Sequence, residues 1–199
     1  KDPKQTFTFS TCNTEKMKKE SQGAHKNESK DFKNFPNSFL EKSIDDTNKY
    51  LENLTAQKQL QWAHKQFNER FVLTTSFGIQ SAVLLHMTVT LESIKKPKII
   101  WIDTGYLPKE TYKYAEQLTK LFGLNLVVAQ SPISPARMEA MYGRLWETGI
   151  KKDLEQYHQI RKVEPLEKTL SNLNVYCWAS GVRKSQTKNR QTMSHIDYI

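Results

Sequence analysis

Apolar positions are scattered at the start of this chain and sharply periodic further on. From Lys1 to about Asn37 there is little apolar period, much Lys, Asn and Ser, and only occasional Phe. Such a stretch cannot repay the entropy of ordering its backbone, so residues 1–37 read as a polar, disordered tail. After it, Leu40, Ile44, Leu51 and Leu54 share one helical face, with Asn37 or Ser38 available as a cap. A second helix turns Leu60, Ala63 and Phe67 inward. Phe71–Thr75 is short, β-branched at its centre and followed by a small polar loop, as a buried parallel strand is.

From there helix and strand patterns alternate. Gln80–Leu91 predicts a helix, Lys98–Asp103 a buried strand, Lys109–Phe122 a helix stopped by Gly123, and Leu124–Ala129 the next strand. Ser134 with Pro135 at the first helical position opens a helix expected to run through Trp146; Val163–Leu173 gives another, and Val175–Ser180 a fourth strand. The expected class is α/β: a mostly parallel, doubly wound sheet with helices on both faces, preceded by the tail and two helices. An apolar strand is also expected to begin within His195–Ile199.

Composition adds limits. The 37% hydrophobic content of the 199 residues is low because the tail dilutes a normal globular part. The net charge of +9 reads as solvated faces, with a basic excess that suits an anionic nucleotide. No aromatic-rich RNA motif or zinc spacing points to nucleic acid. Cys12 and Cys177 are the only cysteines, too few for a disulfide framework or a four-cysteine metal site. A reducing, cytoplasmic setting is expected. No run approaches the roughly 20 apolar residues that span a bilayer, so no membrane partner is expected. The chain starts at Lys1 rather than Met, which leaves room for an upstream targeting segment.

Ligands of such sheets sit beyond the carboxyl ends of the strands, where three polar segments fall. Ser76-Phe77-Gly78-Ile79-Gln80-Ser81 joins a strand to a helix, so its N–H groups can form a nest for phosphate or sulfate, or can simply make a turn. It matches neither GxxxxGK[ST] nor GxGxxG. Asp103-Thr104-Gly105-Tyr106 follows the second strand, where the carboxylate could accept from a ribose or cap the helix beginning near Pro108. Arg183, Lys184, Lys188 and Arg190 cluster beside Gly181 after the fourth strand, and Arg161 and Lys162 add two charges. Guanidinium forks there can grip anion oxygens; the alternative is a solvated basic loop.

TTSFGIQSAVLLHM, WIDTGYLPKETYKYAEQL, EAMYGRLWETG, YHQIRKVEPLEKTL and WASGVRKSQTKNR stand in the order and approximate spacing of bacterial phosphoadenylyl sulfate reductases. The chain resembles that family from about Phe71 to Arg190. The resemblance implies an adenine nucleotide α-hydrolase-like fold, with residues 38–199 as a reductase domain truncated at its C-terminus. It implies that Ser76, Phe77, Gly78, Ile79, Gln80 and Ser81 hold the nucleotide, and that Ile102, Asp103, Thr104 and Gly105 line the adenosine pocket. Lys162, Gly181, Arg183, Lys184 and Arg190 match positions that contact phosphates or sulfate. Lys184 stands where arginine is common, which keeps the charge but loses a fork.

The adenylyl sulfate branch of the family carries a Cys-Cys pair before RKVEPL and a later CxxC, together ligating an iron-sulfur cluster. Tyr157-His158 occupies the first position, and two cysteines cannot supply four thiolates. No bound cofactor is therefore expected, and the 3'-phosphorylated substrate is favoured. The implied reaction is sulfate assimilation: reduction of 3'-phosphoadenylyl sulfate to sulfite and adenosine 3',5'-bisphosphate, with thioredoxin or glutaredoxin as electron donor and a homodimer allowed. The family's nucleophile lies in a Glu-Cys-Gly tail, which does not occur before Ile199. A catalytic cysteine is expected beyond Ile199, and the 199 residues alone are expected to be inactive. Cys177 reads as structural, and Cys12 matches nothing.

His64, His86 and His158 lack ligand spacing, Trp62, Trp101, Trp146 and Trp178 fit core packing, and Glu139 and Glu147 read as surface charges. Two other readings stay open. One is an ATP-pyrophosphatase relative, which would want SGGxDS where Phe77 and Gln80 stand; the other is a nucleotide-binding module without chemistry.

Overall fold

A computed structural model describes residues 6–11, 44–91, 96–182 and 193–198. In chain order the elements are β1 (Thr6–Thr11), α1 (Ile44–Glu52), α2 (Ala56–Phe67), β2 (Phe71–Thr75), α3 (Ser81–Thr90), β3 (Lys98–Asp103) and α4 (Lys109–Phe122). They continue with β4 (Asn125–Gln130), α5 (Pro135–Tyr142), α6 (Lys151–His158), a π-helical turn (Gln159–Val163), α7 (Glu164–Asn172), β5 (Cys177–Val182) and β6 (Ile196–Tyr198). The chain forms the expected α/β class, with a mixed, mostly parallel sheet and helices. It divides into two compact units: Lys1–Leu73, Met87–Pro97 and Val175–Ile199 make one, and Thr74–His86 with Lys98–Asn174 the other.

In the first unit the strand order is β2-β5-β1-β6. β1 corrects the sequence reading, because Thr6–Thr11 lies inside the stretch expected to be disordered. It pairs antiparallel with β5, from Thr6 opposite Val182 to Thr11 opposite Cys177, and parallel with β6. Six residues with too little apolar surface to fold alone gain a ladder on both edges, so long-range pairing overrides local composition. Phe9, 1% exposed, meets Trp62 edge-on at 5.9 Å and lies 6.3 Å from Phe71. Asn48 on α1 secures β6: its amide donates to the Ile196 carbonyl at 3.0 Å, and its carbonyl accepts from the Ile196 N–H at 2.9 Å. Leu40 and both candidate caps of the first helix lie outside the described residues.

α2 is capped by Thr55, whose hydroxyl accepts from Lys58 N–H, and it buries Leu60, Ala63 and Phe67 as their spacing predicts. β5 starts at Cys177 rather than Val175, because the Tyr176 N–H turns to the Arg70 carbonyl at 3.0 Å.

In the second unit β3 lies between β4 and the end of β2. β3 and β4 are parallel, in register from Lys98 opposite Asn125 to Asp103 opposite Gln130. Gly123 closes α4 in the left-handed conformation at φ 55°. Ser134 caps α5 by accepting from Arg137 N–H, with Pro135 in the first turn. α5 stops at Tyr142 rather than Trp146, because Gly143 at φ 72° leaves the helical region.

α6 and the π turn were not foreseen. Pro165 in the first turn of α7 has no N–H to offer the Arg161 carbonyl, and its ring crowds that carbonyl. The backbone widens instead, with Glu164 N–H reaching five residues back to the Gln159 carbonyl.

Candidate nucleotide site

The loop after β2 is shaped by its own hydroxyls. Thr75 Oγ1 accepts from Phe77 N–H at 3.1 Å, Ser76 Oγ accepts from Gly78 N–H at 3.4 Å, and Ser81 returns both its N–H and its hydroxyl to the Gly78 carbonyl. Phe77 takes φ 50°, an uncommon conformation for a bulky residue. Its ring, 2% exposed, holds it there by packing edge-on against Trp101 at 5.1 Å. Phe77 is thus the loop's anchor, whereas Ile79 beside it is 86% exposed. The N–H groups of Ile79 and Gln80, at the entrance to α3, meet no acceptor among the described residues.

The loop after β3 is organised by Asp103, buried where the strand ends. Oδ1 accepts from Gly105 N–H at 2.8 Å and from the Tyr112 hydroxyl at 2.7 Å. Oδ2 accepts from the Gln130 side chain at 2.7 Å, which the parallel register sets directly opposite. Burial alone raises the Asp103 pKa. Hydrogen bonds from Tyr112, Gly105 and Gln130, with the nearby Arg161 charge, outweigh it and hold the carboxyl below its ordinary value. Burial and the same hydrogen bond push the Tyr112 hydroxyl up to about 12. Rather than capping the helix that begins near Pro108, Asp103 caps its own loop and braces β4. A carboxylate has about four lone-pair sites, and these three hydrogen bonds fill three of them.

The two loops are joined through side chains. Phe77 packs on Trp101, Trp101 packs on Tyr112 at 5.6 Å, and Tyr112 bonds Asp103. Tyr106, next to Gly105, extends the second loop into a cluster with Trp146 at 4.5 Å and Tyr157 at 6.2 Å, over Met138, Leu145 and Ile160. Burial and the Glu139 carboxylate raise the Tyr106 pKa. Lys162 is exposed, with its ammonium 5.7 Å from the Tyr157 ring centre, so it stands on the rim of this cluster.

The sequence-derived positions therefore fall into three groups. Ser76 to Ser81, Ile102 to Gly105 and Lys162 all belong to the second unit. Gly181, exposed in β5 opposite Phe7, belongs to the first. Arg183, Lys184 and Arg190 lie outside the described residues. Sequence reasoning passed over Tyr112, in the first turn of the helix after the loop, and Gln130, which only the β3–β4 register brings opposite Asp103, and it counted Arg161 merely as a charge. Arg161 is buried, donating through Nε and Nη2 to the Thr104 carbonyl and through Nη1 to that of Ile133. Among the described residues no group of three or more His, Cys, Asp or Glu could hold a metal, and no helix is long and apolar enough to cross a membrane.

An α/β fold with a polar strand-to-helix loop and an acidic loop at the next strand's end has the layout of the nucleotide-binding class of protein. Residues 70–198 match the family described as phosphoadenosine phosphosulfate reductase domain, and the chain belongs to that family. It is 50% identical over 147 residues to a phosphoadenosine 5'-phosphosulfate reductase of Synechocystis, covering 74% of this chain and 58% of the relative. With the reductase of Synechococcus it shares 49% over 155 residues, covering 78% and 66%. The chain thus spans less than two thirds of the length of these curated relatives. A crystal structure of phosphoadenylyl-sulfate reductase from Candida auris, in complex with phosphate, aligns with TM-score 0.61 and 27% identity, covering 78% of this chain and 76% of that one.

Proposed function

We propose that this chain is the nucleotide-binding core of an enzyme that reduces 3'-phosphoadenylyl sulfate to sulfite and adenosine 3',5'-bisphosphate. The observation that carries the reading is the pair of N–H groups, Ile79 and Gln80, that meet no acceptor among the described residues at the mouth of α3, within a loop of the matched family segment. Backbone donors at a helix N-terminus favour an anion. Gly78 beside them carries no side chain to crowd an anion.

In this reading Ser76, Phe77, Gly78, Ile79, Gln80 and Ser81 cradle a phosphate, and Ile102, Asp103, Thr104 and Gly105 bound the adenosine. Lys162, Arg183, Lys184 and Arg190 neutralise the sulfate and the leaving phosphate, as preorganised donors do for developing charge, and Gly181 contacts the anion through its backbone. A cysteine thiolate attacks the sulfate sulfur, and the sulfur–oxygen bond to the phosphate breaks. Adenosine 3',5'-bisphosphate leaves, and the cysteine holds the sulfonate. A dithiol protein such as thioredoxin or glutaredoxin then attacks the cysteine sulfur; sulfite departs, and the second thiol of the reductant restores the cysteine while closing its own disulfide.

Cys177 does not suit the nucleophile, because it is fully buried in β5. The reading assigns that cysteine to a segment outside these 199 residues. It needs no bound cofactor, and it suits a reducing cytoplasm, where a homodimer is one allowed assembly.

Calorimetric titration with adenosine 3',5'-bisphosphate, adenosine 5'-phosphate and ATP tests it. The bisphosphate should bind at least tenfold more tightly than the monophosphate, and Lys162→Ala and Arg183→Ala should weaken it. A preference for ATP would sink the reading in favour of a pyrophosphatase relative.

A further inference from the structure

We infer that Arg161 is a positioning residue for the nucleotide site, clamping one peptide plane of the adenosine-side loop; the inference rests on the function proposed above. The peptide between Thr104 and Gly105 is held at both ends. Its carbonyl accepts from Nε and Nη2 of Arg161, and its N–H donates to Asp103 Oδ1 at 2.8 Å. Nη1 of the same guanidinium takes the Ile133 carbonyl, so one planar fork ties the loop after β3 to the loop that enters α5. Arg161 is 3% exposed and forms no ion pair with a carboxylate among the described residues. The nearby Asp103 carboxylate and the Tyr106 ring, 5.4 Å away, offset part of the cost of burying this cation, and its donors go to backbone carbonyls that would otherwise lose their partner.

Two further features are fitted to this clamp. Gly105 at φ 77° has no side chain, and a Cβ there would stand 2.7 Å from Arg161 Nη2 and 2.6 Å from Pro135 Cγ. The π turn Gln159–Val163 holds Arg161 buried and the adjacent Lys162 exposed. One widened turn therefore delivers two neighbouring cations to different tasks, one under the loop and one at its rim. Lysine cannot replace Arg161, because a single ammonium lacks the planar fork that serves two carbonyls at once.

Hydrogen exchange on the 199-residue chain, paired with titration by adenosine 3',5'-bisphosphate, tests this. Arg161→Lys should speed exchange at the Gly105 and Tyr106 amides at least tenfold, leave the β3 amides unchanged, and weaken the nucleotide at least tenfold. Arg161→Ala should behave alike and recover nucleotide affinity when guanidinium ion is added at non-denaturing concentration, a rescue that general loss of structure would not give. If the loop amides stay protected in Arg161→Lys, or loosen with no change in affinity, the inference is overturned. If the unaltered chain binds no nucleotide, the function proposed above fails together with the ligand half of this inference. The exchange measurement then still decides whether Arg161 holds the loop.

Discussion

The Tyr112 hydroxyl donates to Asp103 Oδ1 at 2.7 Å, joining the first turns of α4 to the end of β3. The bond spans only nine residues, yet it locks the strand end, the loop and the helix into one piece. It also leans on Trp101, and through Trp101 on Phe77 in the preceding loop. Removing the hydroxyl with Tyr112→Phe leaves a buried carboxylate short of one charged hydrogen bond, which is worth about 1.5–3 kcal/mol. Urea denaturation at pH 7 should report a loss of that size.

The same carboxyl sets an acid limit. Its folded pKa is below the ordinary carboxylate value of 3.8, so the folded state binds fewer protons than the unfolded chain between the two values. Its contribution is fully present above the unfolded pKa and is lost as pH falls through the folded one. The difference in stability between the natural chain and Tyr112→Phe should therefore narrow as denaturation is repeated from pH 5 downward.

At the alkaline end the sign reverses. Tyr112 is raised from 10.0 to about 12, so the folded state keeps its proton longer than the unfolded chain does. The stability this gives is complete below pH 10 and drains away as pH climbs toward 12. Chemical denaturation of the natural chain should lose stability across that interval, and Tyr112→Phe should lose less. Equal slopes for the two proteins would contradict the assignment.

How much of this was legible in the sequence depends on whether local or distant residues decide each feature. KIIWID and the helix from Lys109 to Phe122 were readable to the residue, because period, a left-handed glycine and a run of β-branched residues all agree there. β1 was not, because Thr6–Thr11 becomes a strand only by pairing with residues over 160 positions away. The helical segment before Pro165 was missed because proline reads as a start signal, and the backbone accommodates it by a π turn that no periodicity announces. The polar segments after β2 and β3 were legible as loops because each follows a strand, and most of the third lies outside the described residues. Asp103's partners were not, because Gln130 becomes its neighbour only through the β3–β4 register.

Cys177 is the cysteine whose place is known, and burial in mid-strand makes it inert to reagents in solution. In a Cys12→Ser background, a disulfide reagent should modify it only in urea, with the native protein reacting slower by orders of magnitude. Fast native reaction would reopen it as a candidate nucleophile.

Gly78 and Gly105 separate binding from folding, because the space around them differs. A methyl at Gly78 meets nothing closer than 3.5 Å and the backbone there needs no left-handed conformation, so Gly78→Ala should fold with an unchanged melting temperature. In the proposed site the phosphate lies against the backbone of this loop, so an added methyl would crowd it and nucleotide affinity should fall tenfold or more. At Gly105 the backbone has φ 77° and the new Cβ would collide with Pro135 and the Arg161 fork. Backbone strain alone costs about 1–3 kcal/mol, and displacement of the fork adds to it, so Gly105→Ala should lose both melting temperature and affinity. Measuring the two variants side by side by thermal denaturation and calorimetry decides the matter. If Gly78→Ala bound as tightly as the natural chain, the anion would not sit on that loop, and the nucleotide would have to be placed against the β3 loop alone.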